Sequence, residues 1–374
     1  MKIAYTNCIV VTNGSELHGK AVITEGNIIS DIVSENNIPQ DCRQHDLDGA
    51  FISPGFIDLQ IYGSGGKLFG GVPTADALAQ MEADLLSQGT TGFLGAVATN
   101  TPAIVQQAVD AAKDFRNRSQ DIFIGLHLEG PYLNPKRKGA HPADLIKKGS
   151  LEELKSWVES AKGEIKMMTI APELQDQELI DYLKEQQIII SAGHSDADYR
   201  QACSAFSNGV AAATHLYNAM PQLHHREPGL VAGIFHSKPF TSIVADGVHV
   251  SFPMIEIAKR QLQEKLYLIT DAVTETNEGI YQHVLNGDRY TMPDGTLSGS
   301  SLTMLKAVQN CVTEVNIDLP EAVNMASLYP ATVIGLNESL GTIEHGKQAN
   351  MAIFDQNFKI KGTVFQGNYI ENAG

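Results

Sequence analysis

The pattern of apolar and polar positions divides the chain into three stretches. Residues 1–53 alternate with the period of strands: KIAYTNCIVVT, ELHGKAVITEG and NIISDIVSE are rich in β-branched residues and punctuated by Asn-Gly and Glu-Gly. The closing segment, GTIEHGKQANMAIFDQNFKIKGTVFQGNYI, has the same character. Between them, eight apolar runs recur: FIDLQI, TGFLGAVA, IFIGLHLEG, IKMMTIAPE, QIIISAGHS, GVAAATHLYN, TSIVADGVH and KLYLITDA. Helical patterns such as ADALAQMEADLLSQG, PAIVQQAVDAAKDF, LEELKSWVESA and FPMIEIAKRQLQ separate most of them. Eight β/α units in series predict an α/β fold, a (β/α)8 TIM-like barrel over residues 54–344. The two ends predict a small β-sandwich domain built from 1–53 and 345–374.

Nearly every barrel run ends on a polar residue. Asp58 and Gln60 close the first, His127 and Glu129 the third, His194 the fifth and His215 the sixth. Asp246 and then His249 follow the seventh, and Asp271 the eighth. Active sites of such barrels are built at the C-terminal ends of the strands. Packing explains one buried His or Asp at a strand end, but not this many at the same end of different strands.

Composition narrows the partners. The 374 residues carry a formal net charge of −16, and the pI is about 5.1. That balance argues against nucleic acid or an anionic membrane surface as a partner. An anionic small substrate would need locally placed basic groups. Cys8, Cys42, Cys203 and Cys311 are scattered without metal or redox spacing. The N-terminal stretch has no signal-peptide core, and no run reaches membrane-spanning length. The expected location is the cytoplasm.

Glu129, His194 and His215 offer the few N/O ligands of a hydrolytic metal site with an open position for water. Singly, each His reads better as a satisfied core residue; jointly with the Glu, the metal reading leads. Asp271 follows a fully apolar strand and reads as a proton acceptor for an attacking water, ahead of a plain helix N-cap. His249, in DGVHV, reads about equally as a carbonyl-polarising group or as a loop histidine. His224, His225 and Arg226 are the densest basic run, and Arg suits bidentate phosphate contacts. Lys136, Arg137 and Lys138 form a second run, for which a solvated loop is at least as good a reading.

The motifs SPGFID (53–58), GLHLEGPYLNPKRKGAH (125–141), SAGHS (191–195), THLYNAMPQLHHREPG (214–229), DGVHV (246–250), LITDAV (268–273), LSGSSLTM (297–304) and LGTIEHGKQANMAIFD (340–355) run in order over most of the chain. As a set they resemble the amidohydrolase superfamily, and within it the N-acetylglucosamine-6-phosphate deacetylase family. The resemblance implies metal-dependent removal of the acetyl group from an amino-sugar 6-phosphate. It implies that Glu129, His194 and His215 hold the metal, that Asp271 serves as base and then acid, and that His249 assists at the acetyl carbonyl or a sugar hydroxyl. Ala140, His141, Leu297, Ser298 and Gly299 would line the sugar. Asn218, Ala219 and Arg226 would meet the phosphate end, with Arg226 supplied across a homodimer.

One departure concerns metal count. Where many amidohydrolases carry His-x-His on the first barrel strand, this chain reads Gln60-Ile61-Tyr62. Neither Gln nor Tyr is a good metal ligand, so one divalent ion per subunit is expected, with Gln60 contacting the ion's water. A Glu/His/His set suits Zn²⁺ most naturally, and Fe²⁺, Mn²⁺ or Co²⁺ also fit. The alternative activity is hydrolysis of another N-acyl substrate, such as N-acetylgalactosamine 6-phosphate or an N-acyl-D-amino acid.

Overall fold

The structure is a computed structural model that describes residues 2–287 and 289–372. Eight parallel strands form one sheet in chain order: β1 (Phe56–Ile61), β2 (Thr90–Ala98), β3 (Phe123–Glu129), β4 (Ile165–Ile170), β5 (Ile189–Ala192), β6 (Ala212–Ala213), β7 (Phe240–Val244) and β8 (Leu266–Ile269). All eight apolar runs of the sequence thus form the strands they predict. Every residue of β1 and of β2 is buried, as expected of parallel strands covered on both faces. The sheet closes just beyond β8, where the Asp271 N–H donates to the Gln60 carbonyl at 3.0 Å and the Tyr62 N–H to the Ala272 carbonyl at 2.9 Å. The architecture is a (β/α)8 barrel.

Helices alternate with the strands, and their starts are encoded locally. Thr101 caps the helix Pro102–Arg116, accepting from the Ile104 N–H, with Pro102 in the first turn. Val105, Ala108, Val109, Ala112 and Phe115 make its buried stripe at helical spacing. Asp198 and Gln201 form a reciprocal capping box at the helix Tyr199–Ser207.

Both chain ends contribute to a separate eight-stranded sheet. Its order is 368–371, 360–365, 351–354, 42–54, 2–12, 20–25, 28–34, with 15–17 paired to 2–12. Tyr5, Val10, Val22, Ile29 and Ile52 from the first end cluster with Ile343, Met351, Ile353 and Val364 from the second. The N-terminal strands therefore lack their full core until the C-terminal strands arrive. The chain falls into two compact units, one of residues 1–58, 83–92 and 303–374, the other of 59–82 and 93–302. Every side chain discussed below belongs to the second.

Candidate metal centre and active site

Strand ends bring the acidic and imidazole groups together. Glu129 ends β3, and His194 and His215 lie just beyond β5 and β6. His194, His215 and Asp271 all adopt the left-handed backbone region, with φ of 47°, 35° and 53°. Non-glycine residues there cost on the order of 1–3 kcal/mol each and concentrate at functional sites. The Ser242 hydroxyl of β7 holds this turn by accepting from the His215 N–H at 2.8 Å.

The two oxygens of Glu129 have different surroundings. Oε2 receives the Tyr62 phenol and lies 3.2 Å from His141 Nε2. Oε1 accepts from Gln60 Nε2 at 3.0 Å and faces His215 Nε2 at 2.9 Å and His194 Nε2 at 3.4 Å. Burial alone would raise this carboxyl, but the charge and hydrogen bonds of the surrounding imidazoles outweigh it and hold Glu129 well below the ordinary range. The Tyr62 phenol moves the opposite way, well above 10, through burial and the Glu129 and Asp271 carboxylates. It remains a donor.

Hydrogen bonds to backbone groups identify the ring tautomers. His194 Nδ1 lies 2.8 Å from the Arg137 carbonyl, so that nitrogen is the donor and Nε2 is the atom turned toward the cluster. Nε2 lies only 3.1 Å from His215 Nε2. Two ring nitrogens and a carboxylate oxygen therefore converge. A single proton satisfies only one of these contacts, whereas a divalent cation between them satisfies all three. His215 Nδ1 is buried with no hydrogen-bond partner among the described residues. The donor set fits a divalent ion.

Glu129, His141 and His194 also bring ligand atoms within 4.8 Å of one another. His141 is the weaker ligand of these. The Thr99 N–H donates to its Nδ1 at 3.3 Å, which leaves Nε2–H to donate to Glu129. Burial, with the nearby His194 charge, pushes His141 down to about 4, so the ring stays neutral.

Gln60 sits at the junction of three groups. Its Nε2 lies 3.0 Å from the Tyr62 hydroxyl, from Glu129 Oε1 and from Asp271 Oδ1. His249 is fixed by Asp246, which lies 2.6 Å from its Nδ1 and also accepts its backbone N–H at 2.8 Å. Burial opposes the Asp246 charge, but the bonds from His249 and Val248 prevail and keep it below the usual carboxylate range.

A cleft of about 800 Å³, its open mouth included, lies over this cluster. Ala140, His141, Asn218, Ala219, His249, Leu297, Ser298 and Gly299 all line it, together with Glu129, His194, His215 and Asp271. Gln60 lies beneath the wall, 1% exposed. Gly299 is at φ +97°, and a Cβ there would meet Val273 at 2.6 Å, so this wall requires glycine. Arg226 is exposed and does not line the cleft. In the second basic run, Arg137 pairs with Asp196 at 2.7 Å and Lys136 with the same carboxylate at 3.2 Å. That pairing braces the segment whose carbonyl orients His194.

Sequence reasoning missed Tyr62 as a partner of Glu129, and it missed Tyr281 and His283, which also line the cleft. The Tyr281 hydroxyl donates to the Thr99 carbonyl at 2.7 Å, and His283 Nδ1 lies 3.0 Å from the Ser298 hydroxyl. Both residues precede the 284–286/289–291 hairpin, and no local pattern marks them as inward.

The model described as "Amidohydrolase family" matches residues 51–370, and that described as "NagA composite domain" matches residues 3–52. The N-acetylglucosamine-6-phosphate deacetylase of Haemophilus influenzae is 35% identical to this chain, over 100% of each. That of Vibrio furnissii is 34% identical, over 96% of this chain and 94% of its own. The crystal structure of N-acetylglucosamine-6-phosphate deacetylase from Pasteurella multocida superposes with a TM-score of 0.94 at 33% identity, covering 100% of both chains.

Proposed function

The chain belongs to the amidohydrolase family, and from that premise we propose that it hydrolyses N-acetyl-D-glucosamine 6-phosphate to D-glucosamine 6-phosphate and acetate. The full-length similarity to enzymes of that name supports the reading. The observation that carries it at the site is the convergence of Glu129 Oε1 with the Nε2 atoms of His194 and His215 beside Asp271. These three atoms would hold one divalent ion per subunit, Zn²⁺ most naturally, with Fe²⁺, Mn²⁺ or Co²⁺ as substitutes. When bound, such an ion lowers the pKa of water and polarises an acyl oxygen. The contacts of Tyr62 and Gln60 with Glu129 support a count of one ion.

The chain's own groups supply the rest. Asp271 takes a proton from the attacking water as its oxygen bonds to the acetyl carbon, then passes that proton to the sugar nitrogen as the C–N bond breaks. Gln60 orients Asp271 through its amide. His249 commits Nδ1 to Asp246, so Nε2 is the atom it offers substrate. Held in this way, His249 assists at the acetyl carbonyl or a sugar hydroxyl. His141 and the 297–299 wall fit the sugar. Asn218, Ala219 and Arg226 take the phosphate, with Arg226 reaching the cleft of a second copy in a homodimer. The strong net negative charge argues against nucleic acid as a partner. Cys8, Cys42, Cys203 and Cys311 form no disulfide among the described residues, which fits a cytoplasmic setting. No helix among the described residues is long and apolar enough to cross a membrane.

The test compares acetate release from N-acetylglucosamine 6-phosphate with release from N-acetylglucosamine. A kcat/KM at least a hundredfold higher for the phosphate ester is expected. Equal values for the two sugars would sink the assignment.

A further inference from the structure

His127 is buried inside the barrel and has no part in the chemistry above. Its Nδ1 lies 2.9 Å from the Leu59 carbonyl, which can only accept, so Nδ1 carries the proton and Nε2 is an acceptor. Nε2 lies 2.7 Å from the Thr169 hydroxyl, which must therefore donate to it. Thr169 Oγ1 in turn lies 2.7 Å from Thr214 Oγ1, and Thr214 Oγ1 lies 2.5 Å from Ser191 Oγ. With the Thr169 proton spent on His127, Thr214 donates to Thr169. With the Thr214 proton spent there, Ser191 donates to Thr214. One tautomer thus fixes every hydroxyl in a single direction: Ser191 to Thr214 to Thr169 to His127 to Leu59.

This chain of bonds links β1, β3, β4, β5 and the end of β6. Barrel interiors are ordinarily filled by branched apolar side chains, yet these four polar ones are each no more than 1% exposed. Their sequence positions tie them to the metal centre. His127 precedes Glu129 by two residues on the same face of β3. Thr214 adjoins His215, Ser191 precedes His194 by three residues, and Leu59 adjoins Gln60. Every proposed ligand thus follows a member of the belt within three residues of sequence.

We propose that His127, Thr169, Thr214 and Ser191 form a positioning belt that fixes the relative heights of the strand ends carrying Glu129, His194 and His215, and so sets how tightly and in what geometry the site holds a divalent ion. The inference rests on the metal reading of those three residues and adds a determinant outside the ligand set. None of the four belt side chains lines the cleft. Groups that orient metal ligands typically govern affinity or activity by roughly 10- to 100-fold, and the belt acts through the strand rather than through the ring nitrogens.

The test uses full-length protein and Co²⁺ as the probe. Thr169→Val keeps the shape of the side chain but removes the bonds to His127 and Thr214. Co²⁺ affinity is measured by chelator competition, and the visible spectrum of the Co²⁺ form reports ligand geometry. Thr169→Val is expected to weaken Co²⁺ binding roughly 10- to 100-fold and to shift the visible bands, with Thr169→Ser restoring both. Ser191→Ala, which removes only the terminal link, gives a smaller change in the same direction and stands in if Thr169→Val does not fold. Wild-type affinity and spectrum in the variants, even with a lowered Tm, would mean that the belt is packing alone. A wild-type protein that takes up no divalent ion would instead overturn the metal reading itself.

Discussion

Tyr62→Phe isolates one atom of the site. The phenol donates to Glu129 Oε2, the oxygen turned away from His194 and His215. A hydrogen bond to a charged group is worth about 1.5–3 kcal/mol, which corresponds to a factor of about 10–150 in an equilibrium constant. The metal-free protein loses the same bond, so only the part that preorganises Glu129 appears in ion affinity. A weakening of about tenfold is therefore expected. Gln60 keeps Glu129 and Asp271 as acceptors after the substitution, so no buried donor is stranded. Because the phenol is raised well above 10, it is protonated throughout the working range. Its contribution is fully present below pH 10 and declines only above it. The difference between wild type and variant must therefore be flat from pH 6 to 9. Chelator competition across that range is the assay. An affinity within twofold of wild type, or a difference that grows with pH inside that range, would refute the reasoning.

Other outcomes follow from the same geometry. Asp271→Asn should lower turnover by about 10²–10⁴-fold with little change in Tm, because proton transfer is lost and shape is kept; steady-state kinetics with calorimetry checks this, and turnover within tenfold of wild type removes Asp271 from the mechanism. Asp246→Asn keeps the bonding positions around His249 but removes the charge, so kcat should fall by about 10- to 100-fold with KM nearly unchanged; a rise in KM alone would make His249 a binding group only. Arg226→Ala should raise KM for the phosphorylated sugar without affecting the unphosphorylated one, and an equal effect on both would place Arg226 away from the phosphate. His283 is pushed down to about 4 by burial, against about 6.5 unfolded. Its contribution to stability is thus full above pH 6.5 and drains as the pH falls to 4, on the order of 2–3 kcal/mol at most. His283→Leu should remove that part of the acid loss of Tm, and an unchanged slope between pH 7 and 4.5 would contradict it.

The barrel was legible because each of its strands is a short apolar run between punctuated helical patterns, and such strands must be buried on both faces. The strand-end rule then singled out Glu129, His194, His215 and Asp271 without knowledge of any contact. It could not rank residues in depth. His127 and Glu129 alternate onto one face of β3, and only the folded barrel places the first in an interior layer and the second at the mouth. Tyr62 read as a poor ligand, which left its bond to Glu129 unseen, since a donor to a ligand leaves no spacing signature. The left-handed turns at His194, His215 and Asp271 were equally hidden, because the backbone there is held by partners distant in sequence, such as Ser242 with His215. Tyr281 and His283 reach the cleft from beside a hairpin after the last strand, where polarity alone suggests a surface loop.

Acetate release from N-acetylglucosamine 6-phosphate, measured on one preparation as purified, after chelator treatment and after adding back a stoichiometric divalent ion, tests the central claim most directly. A deacetylase built on Glu129, His194 and His215 loses its turnover with the ion and regains it at one equivalent per subunit. Full turnover in protein stripped of all divalent metal, or none after reconstitution, would contradict it.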